Sequence, residues 1–119
     1  MKSVMLIDDN QWFVQQFARE VNQIGMRCIY ASSAIGAIDI IDDDRPDCIV
    51  TDILLPGING VAFLNEIASH DDLSRIPIIV VSSIGDEIRG RLDSYPVSSV
   101  IDKSSIKPGD ISRAIERCV

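Results

Sequence analysis

The sequence predicts an α/β domain of (βα)5 type, a five-stranded parallel sheet with five helices distributed over its two faces. Three observations predict it. Five short apolar runs alternate with helical patterns along 119 residues. Two of those runs, Val4–Ile7 and Ile49–Thr51, stop abruptly at carboxylates, Asp8-Asp9 and Asp52. A turn rich in Pro and Gly, Pro56-Gly57 and Asn59-Gly60, follows the second carboxylate. Continuous apolar runs of this length are what strands buried on both faces look like.

The elements follow in order. Residues 3–8 read as the first strand. Residues 11–24 read as a helix, with Phe13, Phe17, Val21 and Ile24 three or four apart, capped by Asp9 or Asn10 and ended by Gly25. Residues 26–31 read as the second strand, and Ser32 or Ser33 caps a helix over 34–44 whose inner side is Ile35, Ile38 and Ile41. That helix ends in Asp42-Asp43-Asp44, a poor match to its dipole and read as a solvated acidic face.

Pro46 precedes the third strand, 47–51, and a helix over 60–69 turns Val61, Leu64 and Ile67 inward. Pro77 precedes the fourth strand, 78–81. A helix over 86–93 is weakly specified because Gly85 and Gly90 lower its propensity, and Tyr95-Pro96 breaks it. Residues 98–102 read as the fifth strand, and Pro108 begins a last helix, 108–118, with Ile111 and Ile115 inward.

Composition narrows the function. The chain fits a single domain over residues 1–119. Eleven basic against eighteen acidic residues leave a net charge of −7, which disfavours direct nucleic-acid binding. No apolar stretch approaches the length of a membrane span, and no signal peptide is read ahead of Ser3. Cys28, Cys48 and Cys118 match no zinc spacing and read as reduced thiols of a cytoplasmic protein. The lone His70 reads as a surface or capping residue.

Right-handed crossovers place all strand C-termini on one edge. The topology therefore gathers Asp8-Asp9, Asp52, Ser82 or Ser83, and Lys103 from four separate segments. The order is an acidic pair after strand one, Asp-x-x-x-Pro-x-x-Asn-Gly after strand three, Ser after strand four and Lys after strand five. In this pattern the chain resembles the receiver domains of two-component response regulators, whose fold is flavodoxin-like (CheY-like). The resemblance covers essentially the whole chain.

The resemblance implies that Asp52 accepts a phosphoryl group from a histidine kinase or a histidine phosphotransfer protein. It implies that Asp8, Asp9, Asp52 and the backbone carbonyl of Leu54 hold Mg²⁺, with Mn²⁺ as a substitute. Ser82, chosen over Ser83 because it ends the strand run, would hydrogen-bond the phosphoryl group, and Lys103 would pair with it. Output would pass to a downstream protein target or a fused output domain. Two other classes compete: a degenerate receiver that only binds proteins, and a metal-dependent aspartyl phosphatase. The second usually carries Asp-x-Asp, whereas Asp8 and Asp9 are adjacent.

Three positions depart from the pattern. Val100 stands where receivers often carry an aromatic, so output is expected to rely on the loop after strand four, around Gly85. Ser104 follows Lys103 in place of Pro, so the expected peptide bond is trans with an altered loop. Leu54 and Ile84 are apolar where many receivers orient a hydrolytic water. The phosphoryl group on Asp52 is therefore expected to outlast that on Leu54→Asn, which a decay time course followed by intact mass measures. A wild-type half-life no longer than the variant's would contradict it.

Overall fold

The computed structural model describes residues 2–52, 60–70, 73–83 and 97–119. Within them lie strands β1 (Ser3–Ile7), β2 (Arg27–Ala31), β3 (Cys48–Thr51), β4 (Ile78–Ser82) and β5 (Val97–Asp102). The α-helices are α1 (Gln11–Gln23), α2 (Ala34–Asp43), α3 (Gly60–Ala68) and α4 (Asp110–Cys118). The strands form one parallel sheet in the order β2-β1-β3-β4-β5. From β1 the chain moves first to β2 on one side and then to β3 on the other, which leaves a crevice at the C-terminal ends of β1 and β3. The helix expected over 86–93, together with Leu54, Pro56, Asn59, Ile84 and Gly85, lies outside the described residues.

Alternation along the strands divides the core in two. Met5 and Ile7 point to one face and join Ile41, Ile49, Phe63, Leu64, Ile67 and Ile78 under α2 and α3. Val4 and Leu6 point to the other and join Phe17, Val21, Val50, Ile79, Ile111 and Ile115 under α1 and α4. β1, β3 and β4 are buried along their full length. No helix among the described residues is long and apolar enough to cross a membrane.

Local chemistry sets the helix ends. The Asn10 side chain accepts from the backbone N–H groups of Trp12 and Phe13, at 3.0 and 3.4 Å. Ser33, not Ser32, caps α2 through Gly36. Gly25 takes φ +77° just after α1, a conformation that favours glycine.

Two expectations need correcting. Ile35 is 54% exposed, while Ala37 and Ile41 are buried and Ile38 packs partly against the core. Ala37 lies two positions beyond Ile35, about 200° around a helix, so Ile35 faces away once that stripe is seated. The last helix begins at Asp110, not Pro108. Gly109 takes φ +91° there and brings no capping side chain. A carboxylate from α1 serves instead: Glu20 Oε1 accepts from the backbone N–H groups of Gly109 and Ser112, at 2.8 and 3.4 Å.

The acidic end of α2 is less solitary than expected. Asp44 receives both nitrogens of the Arg27 fork at 2.9 Å, a hydrogen bond that holds its carboxyl below the usual range. Asp42 and Asp43 are exposed. His70 pairs with Glu66 at 3.2 Å on the surface of α3.

Glu20 satisfies two helix-terminal donors and places a negative charge at the positive end of α4. Glu20→Ala is expected to lower stability by about 1–2 kcal/mol, a drop in Tm of roughly 4–8 °C, with a smaller loss in Glu20→Gln. Thermal unfolding of the three proteins measures this. Equal melting of Glu20→Ala and wild type would contradict the role.

Candidate functional site

The C-terminal edge of the sheet delivers three charged side chains to one point. Asp8 directly follows β1, and its backbone N–H reaches the carbonyl of Ala31 at 3.3 Å. Asp52 directly follows β3, and its N–H reaches the carbonyl of Ile7 at 3.0 Å. These bonds extend the β1–β2 and β1–β3 pairings by one residue, so both carboxylates flank the crevice. Thr51 donates its hydroxyl to the carbonyl of Asp52 at 2.9 Å.

Lys103 directly follows β5 and begins a 3₁₀ turn, Lys103–Ser105. The Asp102 side chain caps that turn, accepting from the N–H and hydroxyl of Ser104 at 2.9 and 2.6 Å. Ser104 thus sits in a side-chain-capped turn, and the Lys103–Ser104 bond is trans, as expected.

The Lys103 ammonium reaches across the crevice to both carboxylates. Nζ donates to Asp8 Oδ2 at 2.8 Å and to Asp52 Oδ2 at 2.9 Å. The three side chains are only 11%, 4% and 8% exposed. Burial is the largest single influence on the Lys103 pKa and pushes it down. The hydrogen bonds and charges of Asp8 and Asp52 together outweigh it, and the pKa ends above the ordinary lysine value. The other oxygen of Asp8 accepts from the N–H of Asn10 at 2.8 Å.

The remaining residues fall into place unevenly. Ser82 ends β4, fully buried and in register with Asp102, while Ser83 is exposed in the turn beyond. Asp9 is exposed and stands outside the clamp formed around Lys103. Among the described residues no three acidic, His or Cys side chains converge as a metal-ligand set. The donor chemistry nevertheless suits a small hard cation. Two carboxylate oxygens already share one positive charge between them, and oxygen is the ligand that Mg²⁺ prefers. Leu54 lies outside the described residues. Val100 packs partly against the core under α2 and α3, opposite the face covered by α1 and α4.

One site residue escaped the sequence. The Lys103 nitrogen sits over the ring of Phe13, 4.3 Å from its centroid. Helical spacing marked Phe13 only as an inward-facing residue. The available signal was its place in the first turn after Asp8-Asp9, beside the same crevice.

The cysteines take no part. Cys28 and Cys48 lie on strands, and all three are free thiols. Burial pushes the Cys48 thiol up to about 12, with smaller contributions from Cys118 and Asp47.

The family described as the response regulator receiver domain matches residues 4–116. The polar-differentiation response regulator DivK of Brucella anthropi is 33% identical over 93 residues, 76% of each chain. Its counterpart in Brucella ovis is 32% identical over the same length. In three dimensions the chain is similar to the chemotaxis response regulator CheY4 of Vibrio cholerae, with a TM-score of 0.90 at 18% identity, over 100% of this chain and 99% of that one. It is also similar to the HemR receiver domain of Leptospira biflexa, with a TM-score of 0.86 at 18% identity, over 99% and 94%. The chain therefore belongs to the response regulator receiver domain family.

Proposed function

We propose that this receiver domain accepts a phosphoryl group on Asp52 from a phosphohistidine of a histidine kinase or phosphotransfer protein, and so switches its binding to a downstream protein target or a fused output domain. The observation that carries the reading is the convergence of Asp8 and Asp52 on the Lys103 ammonium, at 2.8 and 2.9 Å.

The chemistry asks for this arrangement. A carboxylate is a weak nucleophile toward a phosphoryl group that is itself anionic, so positive charge must stand at the point of transfer. Asp52 supplies the attacking oxygen. As its bond to phosphorus forms, the phosphorus–nitrogen bond of the phosphohistidine breaks and the imidazole leaves with the electron pair. Lys103 is held beside the attacking carboxylate and pairs with one phosphoryl oxygen. The Ser82 hydroxyl, at the adjacent strand end, donates to another.

Asp8, Asp9 and Asp52, with the carbonyl of Leu54, would hold Mg²⁺ or Mn²⁺. The ion would supply the charge that two carboxylates and an incoming anion require. Lys103 is the chain's own substitute for part of that charge. Two carboxylates at the spacing of adjacent strands, about 5 Å, repel by roughly 3 kcal/mol at an effective dielectric of about 20, a large share of a domain's stability of about 5–15 kcal/mol.

Acetyl phosphate with Mg²⁺ is expected to add one phosphoryl group to the wild type and none to Asp52→Asn, read by intact mass and peptide mapping. No gain in the wild type, or an equal gain in the variant, would overturn the assignment. Mg²⁺ is expected to raise the Tm of the wild type through preferential binding to the folded state, and less so in Asp9→Ala. Equal shifts would remove Asp9 from the site. In chelator, Lys103→Met is expected to lose about 3–5 kcal/mol because two buried carboxylates lose their counter-charge. Mg²⁺ should then raise its Tm by more than it raises the wild type's. Calorimetry with and without the ion decides, and a smaller rise in the variant would contradict shared compensation.

A further inference from the structure

We propose that Phe13 is a positioning residue for Lys103, a fixed aromatic seat on which the ammonium pivots between the carboxylates and an arriving phosphoryl group, a role that rests on the phosphoacceptor reading.

An ammonium has three N–H donors. Two of those on Lys103 are spent on Asp8 and Asp52. The Phe13 ring also lies against the ammonium, its centroid 4.3 Å from Nζ. A cation over the face of an aromatic ring is attracted by the ring quadrupole, and more strongly where water is excluded. The Lys103 side chain is 11% exposed, so water is largely excluded here.

The seat is itself held. Trp12 meets the Phe13 ring edge-on at 5.0 Å and 87°, and Phe17 packs against it at 5.6 Å. Phe17 is 4% exposed and belongs to the core under α1 and α4. Asn10 fixes the backbone beneath, since its side chain accepts from the N–H of Phe13. The ring therefore belongs to the scaffold, whereas a lysine side chain carries about 2 kcal/mol of rotamer entropy that must be suppressed.

The two kinds of contact behave differently during transfer. Hydrogen bonds to Asp8 and Asp52 are directional and must be exchanged when a phosphoryl oxygen arrives. Attraction to the ring face depends weakly on which way the N–H groups point, so Nζ can redirect its donors without leaving its seat. An aliphatic residue at position 13 would fill the space and give no such hold.

The test compares wild type with Phe13→Leu, which keeps an apolar side chain without a ring, and Phe13→Tyr, which keeps the ring. Acetyl phosphate with Mg²⁺ is the probe. The expected result is an Asp52 modification rate about threefold to tenfold lower in Phe13→Leu, restored in Phe13→Tyr. In the wild type the ε-protons of Lys103 should show an upfield ring-current shift by NMR, lost in Phe13→Leu. A modified wild type with Phe13→Leu modified equally fast overturns the role of Phe13 alone. A wild type that takes up no phosphoryl group overturns the phosphoacceptor reading and this role with it. Should Phe13→Leu fail to fold, the wild-type spectrum decides: Lys103 ε-protons at their ordinary position would overturn the proposal.

Discussion

One ammonium group between two buried carboxylates is the constraint around which this molecule is arranged. Asp8 and Asp52 stand at neighbouring strand ends because β1 and β3 are paired in register from Val4 with Cys48 to Ile7 with Thr51. Adjacent strands lie only about 5 Å apart, so the carboxylates are brought into mutual repulsion by the same hydrogen bonds that build the sheet. Lys103 resolves the conflict from two strands away, across β4. Its positive charge is half of the arrangement, and its reach from the far side of the sheet is the other half.

The scaffold serves that reach. β1, β3 and β4 are apolar and fully buried, so their register is fixed by two core layers. Lys103 then depends on a short turn closed by Asp102 and on the chain that runs from it into α4. Glu20 ties the start of α4 back to α1, so the helix carrying Phe13 and the segment following Lys103 share a frame. Clusters of like charge are tolerated in small domains when they are pinned in this way by elements that have their own reasons to be where they are.

Much of this was legible in the sequence. Strand identity and the gathering of Asp8, Asp52 and Lys103 at one edge follow from apolar runs ending in charged residues, because such runs have few other ways to bury themselves. Three kinds of detail were not legible. Ile35 looked inward because a helix with Ile, Ala and Ile at so many positions offers more than one apolar stripe, and only packing selects among them. Local rules favour Pro108 as the start of α4. The actual cap is Glu20, 89 residues away along the chain, and no local rule can find it. Phe13 was recognised as an inward residue, but the identity of what it would meet depended on how far Lys103 extends across the crevice.

Asp8 uses both of its oxygens, one toward Lys103 and one toward the backbone of Asn10, the residue that caps α1. The leading edge of a helix and the electrostatic balance of the crevice are thus fastened to the same carboxylate. A change at Asp8 therefore bears on the start of that helix and on the charge of the crevice together.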